Sequence, residues 1–260
     1  MTEPTPGLPL LHLHDGRATL TLNRPAHHNR LHVEDLLALQ RHFAALAADP
    51  AVKLLVITGS GRSFCSGFHV GDFDAQAGSN PSAGPHLFEQ TVDALEALPV
   101  PTICRLNGSV YGGATDLALA CDFRVGVSGM ELRMPAARLG LHYYPSGLRR
   151  YVSRLGLAAA KRFFLLAEAV RAADLLALVY LDRLVPPDRL DVEVQALADA
   201  LAAGAPLALR GMKLSLDEIA RGEFHLGALR EREARCAHSA DLAEGKAAFA
   251  EKRAPRFTGR

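Results

Sequence analysis

The sequence predicts an α/β fold, in which tandem strand, strand, helix units are followed by an all-helical C-terminal segment. Three observations carry this. Short strand-like runs, RATLTL at Arg17–Leu22, KLLVIT at Lys53–Thr58 and TICRL at Thr102–Leu106, are separated by stretches of helical period over the first 190 residues. Two of the three runs end in a glycine-containing turn or lead straight into one. From Asp191 onward no strand pattern remains, and the chain is Ala-rich with breaks only at Gly204-Ala205-Pro206 and near Gly222. The expected division is therefore 1–190 as the core that carries the site and 191–260 as a separate helical segment.

Each element has a local cause. Arg17–Leu22 alternates apolar and polar residues and stops before Asn23-Arg24-Pro25, because proline cannot continue a ladder. Val33–Ala48 places its apolar residues on one helical face. Lys53–Thr58 is a continuous apolar run of the buried-strand kind, ended by Gly59-Ser60-Gly61. Residues 76–85 are rich in Gly, Ser and Pro and read as a loop. Phe88–Leu98 is again helical in period, closed by Pro99 and Pro101. After Thr102–Leu106 comes NGSVYGGATDLALACD, Asn107 to Asp122. Its tail continues as helix before Phe123-Arg124-Val125 turns to strand character.

Composition narrows the function. With 260 residues, 49% of them hydrophobic, the chain can bury a sizeable core. Its 29 basic and 28 acidic residues leave a net charge of +1 with no long run of one sign, so neither nucleic acid nor an anionic membrane is an expected partner. Cys65, Cys104, Cys121 and Cys236 are widely spaced and lack C-x-x-C or Cys/His ligand patterns, which points away from metal and from a disulfide framework. No leader-like apolar segment opens the sequence, and a cytoplasmic protein is expected.

Two glycine motifs carry the chemistry. Gly59-Ser60-Gly61 follows a strand as a dinucleotide-binding turn would, but Phe64 stands where the third glycine is needed. Serine-hydrolase motifs G-x-S-x-G and S-x-x-K are absent. Gly112 and Gly113 open an apolar helix, where unpaired amides and the positive dipole end can hold a developing oxyanion. Asp116 lies three residues on, on the same helical face, either as a base for a nearby proton or as a complement to the dipole. A second glycine-containing turn, Ser63-Phe64-Cys65-Ser66-Gly67-Phe68, follows the buried-strand run and could supply the other amide such a site needs.

These residues, with Leu22-Asn23-Arg24-Pro25, Asn29, Asn107-Gly108, Cys121-Asp122, Glu244-Gly245, Phe249 and Glu251-Lys252-Arg253, occur in an order that resembles the crotonase superfamily of enoyl-CoA hydratases and isomerases. The resemblance implies a crotonase-type spiral of β-β-α units with a helical trimerisation segment, assembling as a homotrimer or a dimer of trimers. It implies an acyl-CoA thioester as substrate, with coenzyme A entering as part of the substrate and no separate cofactor or metal. By resemblance, the amides of Ser66 and Gly113 form the oxyanion hole and Asp116 is the acid/base. Gly67, Phe68, His69, Gly112, Phe249 and Lys252 fall at substrate-contacting positions.

Departures from the family pattern keep the reaction open. Hydratases of this family use two glutamates. Here the first position is Asp116, shorter by roughly 1.5 Å, and the second, after Met134-Pro135, is Ala136, which cannot transfer a proton. His69 replaces the usual aspartate of A-G-x-D, and His28 stands where relatives carry a basic residue near the CoA phosphates. The stretch Leu141-His142-Tyr143-Tyr144-Pro145 makes His142 and Tyr143 candidate catalytic groups. Leu139-Gly140 followed by Tyr143 also resembles the methylmalonyl-CoA decarboxylase branch, whose chemistry passes through the same enolate. The third reading is an acyl-CoA binding protein without catalysis.

Overall fold

The computed structural model describes residues 7–69, 71 and 85–260. The main sheet has six strands in the order β1 (Leu10–His14), β2 (Arg17–Leu22), β3 (Leu54–Gly59), β4 (Thr102–Leu106), β6 (Phe123–Val127), β9 (Arg183–Val185). Strands β1 and β2 form an antiparallel hairpin through Asp15-Gly16, both at positive φ. All other pairings in this sheet are parallel. A second sheet of three short strands, β5 (Val110–Tyr111), β7 (Glu131–Arg133) and β8 (Ala169–Arg171), interleaves with it in chain order.

Strand β3 is buried at all six positions, the expected result for a parallel strand covered on both faces, and it begins one residue later than the sequence suggested. Helix α1 (Val33–Ala48) has the predicted bounds. It turns Leu36, Leu39, Phe43 and Leu46 into the core, and Asp35 in its first turn accepts from the His32 N–H and from Arg24. Helix α2 (Pro85–Glu96) starts three residues before the predicted Phe88 and packs on α1. The predicted loop at 76–85 lies outside the described residues except for Pro85, which opens this helix.

The Asn107–Asp122 stretch becomes β5 and α3 (Ala114–Leu119), and every residue of α3 is buried. Helix α4 (Pro145–Lys161) carries Pro145 in its first turn and is broken at Gly156, whose φ is +81°. Helices α5 (Ala172–Ala177), α6 (Leu190–Ala202), α7 (Pro206–Arg221), α8 (Leu226–Ala237) and α9 (Ala240–Glu251) complete the chain. Pro206 opens α7 and Gly222, at φ +71°, closes it, as the predicted breaks require. Leu190, Val194 and Ala198 sit one turn apart and pack α6 onto the sheet, so the first helix of the predicted 191–260 segment belongs to the core layer.

No single helix among the described residues is long and apolar enough to cross a membrane. The pair Pro187–Ala202 and Pro206–Arg221 passes that test only jointly and is bent by 105°.

Candidate active site

The parallel strands β3 and β4 run side by side, with Thr58 opposite Arg105, so the loops that leave their C-terminal ends lie together. Two buried or half-buried asparagines shape them. Asn29 donates to the carbonyls of Ser60, Ser63 and Phe64 at 2.8, 2.9 and 3.1 Å while its own oxygen accepts from the Arg24 N–H. Asn107 accepts from the Gly59 N–H at 3.1 Å and donates to the Gly61 carbonyl at 2.8 Å. These bonds account for Gly59 and Gly61 as parts of a tightly tied turn. No helix opens there to receive a pyrophosphate. The loops then pair directly, through Phe64 N–H to Ser109 O at 3.1 Å and Tyr111 N–H to Cys65 O at 3.0 Å.

This pairing brings Gly67 against Gly112 and Gly113. Gly67 has φ +93°, and a Cβ on it would stand 2.8 Å from the Tyr111 carbonyl oxygen. Gly112 has φ +56°. Gly113 is helical in φ (−57°), so its need for glycine is space: a Cβ there would stand 2.7 Å from the Phe88 ring. The Gly112 N–H is donated to Arg133 O at 2.9 Å, whereas the N–H of Gly113 finds no acceptor among the described residues.

The expected oxyanion amide at Ser66 requires correction. Its N–H is donated to the His28 carbonyl at 2.9 Å, because the Pro25–Asn29 turn folds beneath the loop. Phe68 is bridged to Leu31 in parallel fashion, through Leu31 N–H to Gly67 O and His69 N–H to Leu31 O, both at 2.9 Å.

Above the glycines opens a cavity of about 240 Å³. Its floor is Ser66, Gly112 and Gly113, and its walls include Phe68, Phe88, Met134, Leu139 and Leu141. Ala136 lies on the wall, and His142, Tyr143 and Tyr144 close it from the loop before α4. Asp116 does not line the cavity; it lies behind Tyr144, fully buried. The Tyr144 hydroxyl donates to Asp116 Oδ2 at 2.5 Å, Arg150 Nη1 donates to the same oxygen at 2.6 Å, and Tyr143 donates to the Tyr144 hydroxyl at 3.1 Å. Oδ1 of Asp116 is buried without a hydrogen-bond partner among the described residues.

Arg150 also binds Glu96 and Asp93 on α2, and Arg154 binds Glu96 in turn, so one buried guanidinium serves three acids. Burial raises the Asp116 pKa above its ordinary value against the opposing pull of Arg150. For Glu96 burial also pushes upward, but Arg150, Arg154 and Arg221 outweigh it and hold the carboxylate below its ordinary range. Burial, then the neighbouring Asp116, raise both Tyr143 and Tyr144 well above the usual phenol, so the two hydroxyls stay protonated. Cys65, beneath the floor, donates to Asn29 O and is pushed up by burial to about 12, which leaves it an inert thiol.

The model of the family described as enoyl-CoA hydratase/isomerase matches residues 13–260. The chain belongs to the enoyl-CoA hydratase/isomerase family. It is 30% identical over 243 residues to a crotonyl-CoA hydratase of Syntrophomonas wolfei, covering 92% of this chain and 94% of the relative. It is 29% identical over 257 residues to a 1,2-epoxyphenylacetyl-CoA isomerase of Escherichia coli, covering 96% and 98%. Among solved structures, a putative enoyl-CoA hydratase from Streptomyces coelicolor superposes with a TM-score of 0.88 at 33% identity, covering 100% of this chain and 98% of that one. The fold is thus the crotonase type, and the protein is an enzyme of this family.

Within this enoyl-CoA hydratase/isomerase family member, the predicted residues divide by place. Ser66, Phe68, Gly112, Gly113, His142 and Tyr143 meet at the cavity. His142 is exposed, with Nδ1 2.8 Å from the Tyr143 carbonyl. His69 stacks obliquely near His32 at 4.9 Å and does not line the cavity. His28 bonds Ser63 Oγ at 2.8 Å and faces Arg62. Phe249, 88% exposed, and Lys252, at the left-handed end of α9, stand outside the cavity. Sequence reasoning missed Arg150, Glu96 and Phe88, and it named Tyr144 only as one tyrosine of the 141–145 stretch. Tyr144 adjoined a named candidate, whereas Arg150 and Glu96 carry no local signal. Among the described residues no group of three or more potential metal ligands occurs.

Proposed function

We propose that this family member binds an acyl-CoA thioester with the acyl group in the 240 Å³ cavity and carries it through an enolate. The observation that carries the reading is the Gly113 N–H, without an acceptor, on the floor of an apolar cavity backed by the Asp116 carboxyl. Negative charge spreads onto the thioester oxygen as the enolate forms, and each donor lost at such an oxygen commonly costs about 3 kcal/mol. The amide of Ser66 is engaged by the His28 carbonyl, so the Gly113 N–H is the donor on which this reading rests. Asp116 is the acid/base of the site, with Tyr143 beside it and His142 at the rim. No cofactor beyond the CoA of the substrate enters this chemistry.

The cavity supports an uncharged acyl group. Apart from His142 its walls are apolar side chains, tyrosines and backbone, with no lysine or arginine among the described lining residues. That favours enolate chemistry on enoyl or aryl-acyl groups over the decarboxylase alternative, whose free carboxylate would be buried unpaired. With Ala136 in the lining and no carboxylate among the described lining residues, we assign proton transfer to the Asp116 side. Isomerisation, or hydration with Asp116 acting on water and carbon in turn, fits one acid better than a two-carboxylate mechanism.

For assembly we propose a homotrimer, or two paired, in which the exposed Leu216 and Ile219 of α7, Phe224 of the following turn and Leu226 of α8 are covered by a second protomer. Phe249 and Lys252, which match CoA-contacting positions by resemblance, are proposed to meet the CoA nucleotide. Four unpaired cysteines fit a reducing, cytoplasmic setting.

The test is mass spectrometry of enoyl-, hydroxyacyl-, aryl-acyl- and carboxyacyl-CoA esters after exposure to the enzyme. Turnover is expected with uncharged acyl groups. Release of carbon dioxide from malonyl- or methylmalonyl-CoA as the main reaction would reverse the preference. Tight binding of every ester with no change in mass would favour the non-catalytic reading.

A further inference from the structure

Among the described residues Asp116 is the acid that stands behind the two tyrosines, yet its carboxyl is walled off from the cavity. Oδ2, the oxygen nearest the tyrosines, already accepts from Arg150 at 2.6 Å and Tyr144 at 2.5 Å. Tyr144 spans the gap, since it lines the cavity and holds Asp116 by its hydroxyl. Its ring is fixed by stacking on Tyr143 at 4.2 Å and by Phe88 at 6.0 Å. Room for that arrangement is made by Gly147, where a Cβ would meet Tyr143 at 2.4 Å, Tyr144 at 2.7 Å and Asp116 Oδ2 at 2.9 Å.

Resting on the enolate reading above, we propose that Tyr144 is the catalytic residue that exchanges the proton with the substrate α-carbon, and that Asp116 acts through it as a buried positioning acid. In the forward step the α-C–H bond breaks and its proton joins the Tyr144 oxygen. The hydroxyl proton of Tyr144 passes at the same time along its existing bond to Asp116 Oδ2. The electron pair of the broken C–H bond becomes the enolate, whose charge rests on the thioester oxygen at the Gly113 N–H. Tyr144 ends neutral, Asp116 ends as a carboxylic acid, and the reverse step returns both protons. No free phenolate forms, which suits a phenol that burial and Asp116 hold well above its ordinary pKa. A carboxyl whose pKa is raised by burial is a ready receiver. Arg150 keeps the ionised form in place between turnovers. Tyr143, which donates to the Tyr144 oxygen, orients the lone pair left for the substrate.

The experiment measures deuterium uptake at the α-carbon of butyryl-CoA and phenylacetyl-CoA in heavy water, with kcat and KM read separately. Tyr144→Phe keeps the ring and its packing and removes only the hydroxyl. Exchange is expected to fall about 10²–10⁴-fold, the usual worth of a general acid/base, with KM within about three-fold. Tyr143→Phe is expected to cost less than about ten-fold, since it leaves the relay intact. Asp116→Asn in the Tyr144→Phe background should cost almost nothing further, because residues that act as one unit are not additive. The assignment is overturned if Tyr144→Phe retains exchange within about five-fold, or if Asp116→Asn costs as much again in that background, which would mean that Asp116 meets the substrate directly. A parent enzyme that exchanges neither ester but binds both would overturn the enolate reading itself, and with it this assignment. Circular dichroism and thermal melts of each variant separate lost chemistry from lost folding.

Discussion

Arg150 Nη1 lies 2.6 Å from Asp116 Oδ2, and neither side chain reaches solvent. Replacing Arg150 by Met keeps most of the volume but strands a carboxyl in the core. Removing one member of a buried pair costs about 3–5 kcal/mol, so Arg150→Met should lower unfolding free energy by that order in urea. Asp116→Asn added to it removes the stranded charge and should recover a part. A double variant no more stable than Arg150→Met alone would show that the loss comes from Glu96 and Asp93 instead.

Two of the three carboxyls around this guanidinium, Glu96 and Asp116, are shifted in opposite directions. The Glu96 pKa is lowered from 4.5, so the unfolded chain binds its proton more tightly, and the stability it contributes is lost as pH falls below that value. The Asp116 pKa is raised from 3.8, so the native state binds its proton more tightly, and stability declines as pH climbs above that value toward the raised one. Urea unfolding from pH 3 to pH 8 checks both signs. The advantage of the parent over Glu96→Gln should shrink toward low pH, and its advantage over Asp116→Asn should shrink toward high pH. Slopes of the same sign for the two would refute this account.

Gly147→Ala tests the packing that seats the tyrosines. The α4 backbone accepts alanine, and helical propensity alone would favour it by about 1 kcal/mol. Yet the added methyl would fall within 2.9 Å of Tyr143, Tyr144 and Asp116 together. Overpacking of this kind costs about 1–3 kcal/mol, and turnover should fall further than stability because both phenols shift. A variant more stable than the parent with full turnover would contradict the contact.

How far the sequence reached depended on the length of the signal. Helix α1 and the ends of α7 were legible because periodicity runs over whole turns and proline and glycine punctuate them. Strands β5, β7, β8 and β9, each two or three residues long, are shorter than one clear alternation. At the site, the spacing of Gly113 and Asp116 was read correctly as one helical turn. The partners that decide what Asp116 does come from elsewhere: Arg150 is 34 residues away and Tyr144 is 28. Ser66 failed as an oxyanion donor for a similar reason. Its amide is captured by His28 from a turn 38 residues earlier, a contact that exists only once Asn29 has tied the two loops.

Gly113 and Phe88 offer a test in which one change should undo another. At φ −57° Gly113 has no conformational need for glycine, so Gly113→Ala strains the structure only through the Phe88 ring, 2.7 Å from the added methyl. Either the ring moves, opening the cavity wall and loosening its 6.0 Å contact with Tyr144, or the first turn of α3 moves and carries the Gly113 amide with it. In both cases oxyanion geometry suffers, and turnover should fall about 10²-fold, the lower bound for losing one such donor. Phe88→Leu shortens the side chain at the point of conflict while keeping the wall apolar. Combined with Gly113→Ala it should restore turnover by about ten-fold or more, although Phe88→Leu alone leaves a cavity and costs stability. Steady-state kinetics of the two single variants and the double variant decide the matter. If Phe88→Leu gives no rescue, the glycine is required by the substrate's approach to the backbone and not by the ring behind it.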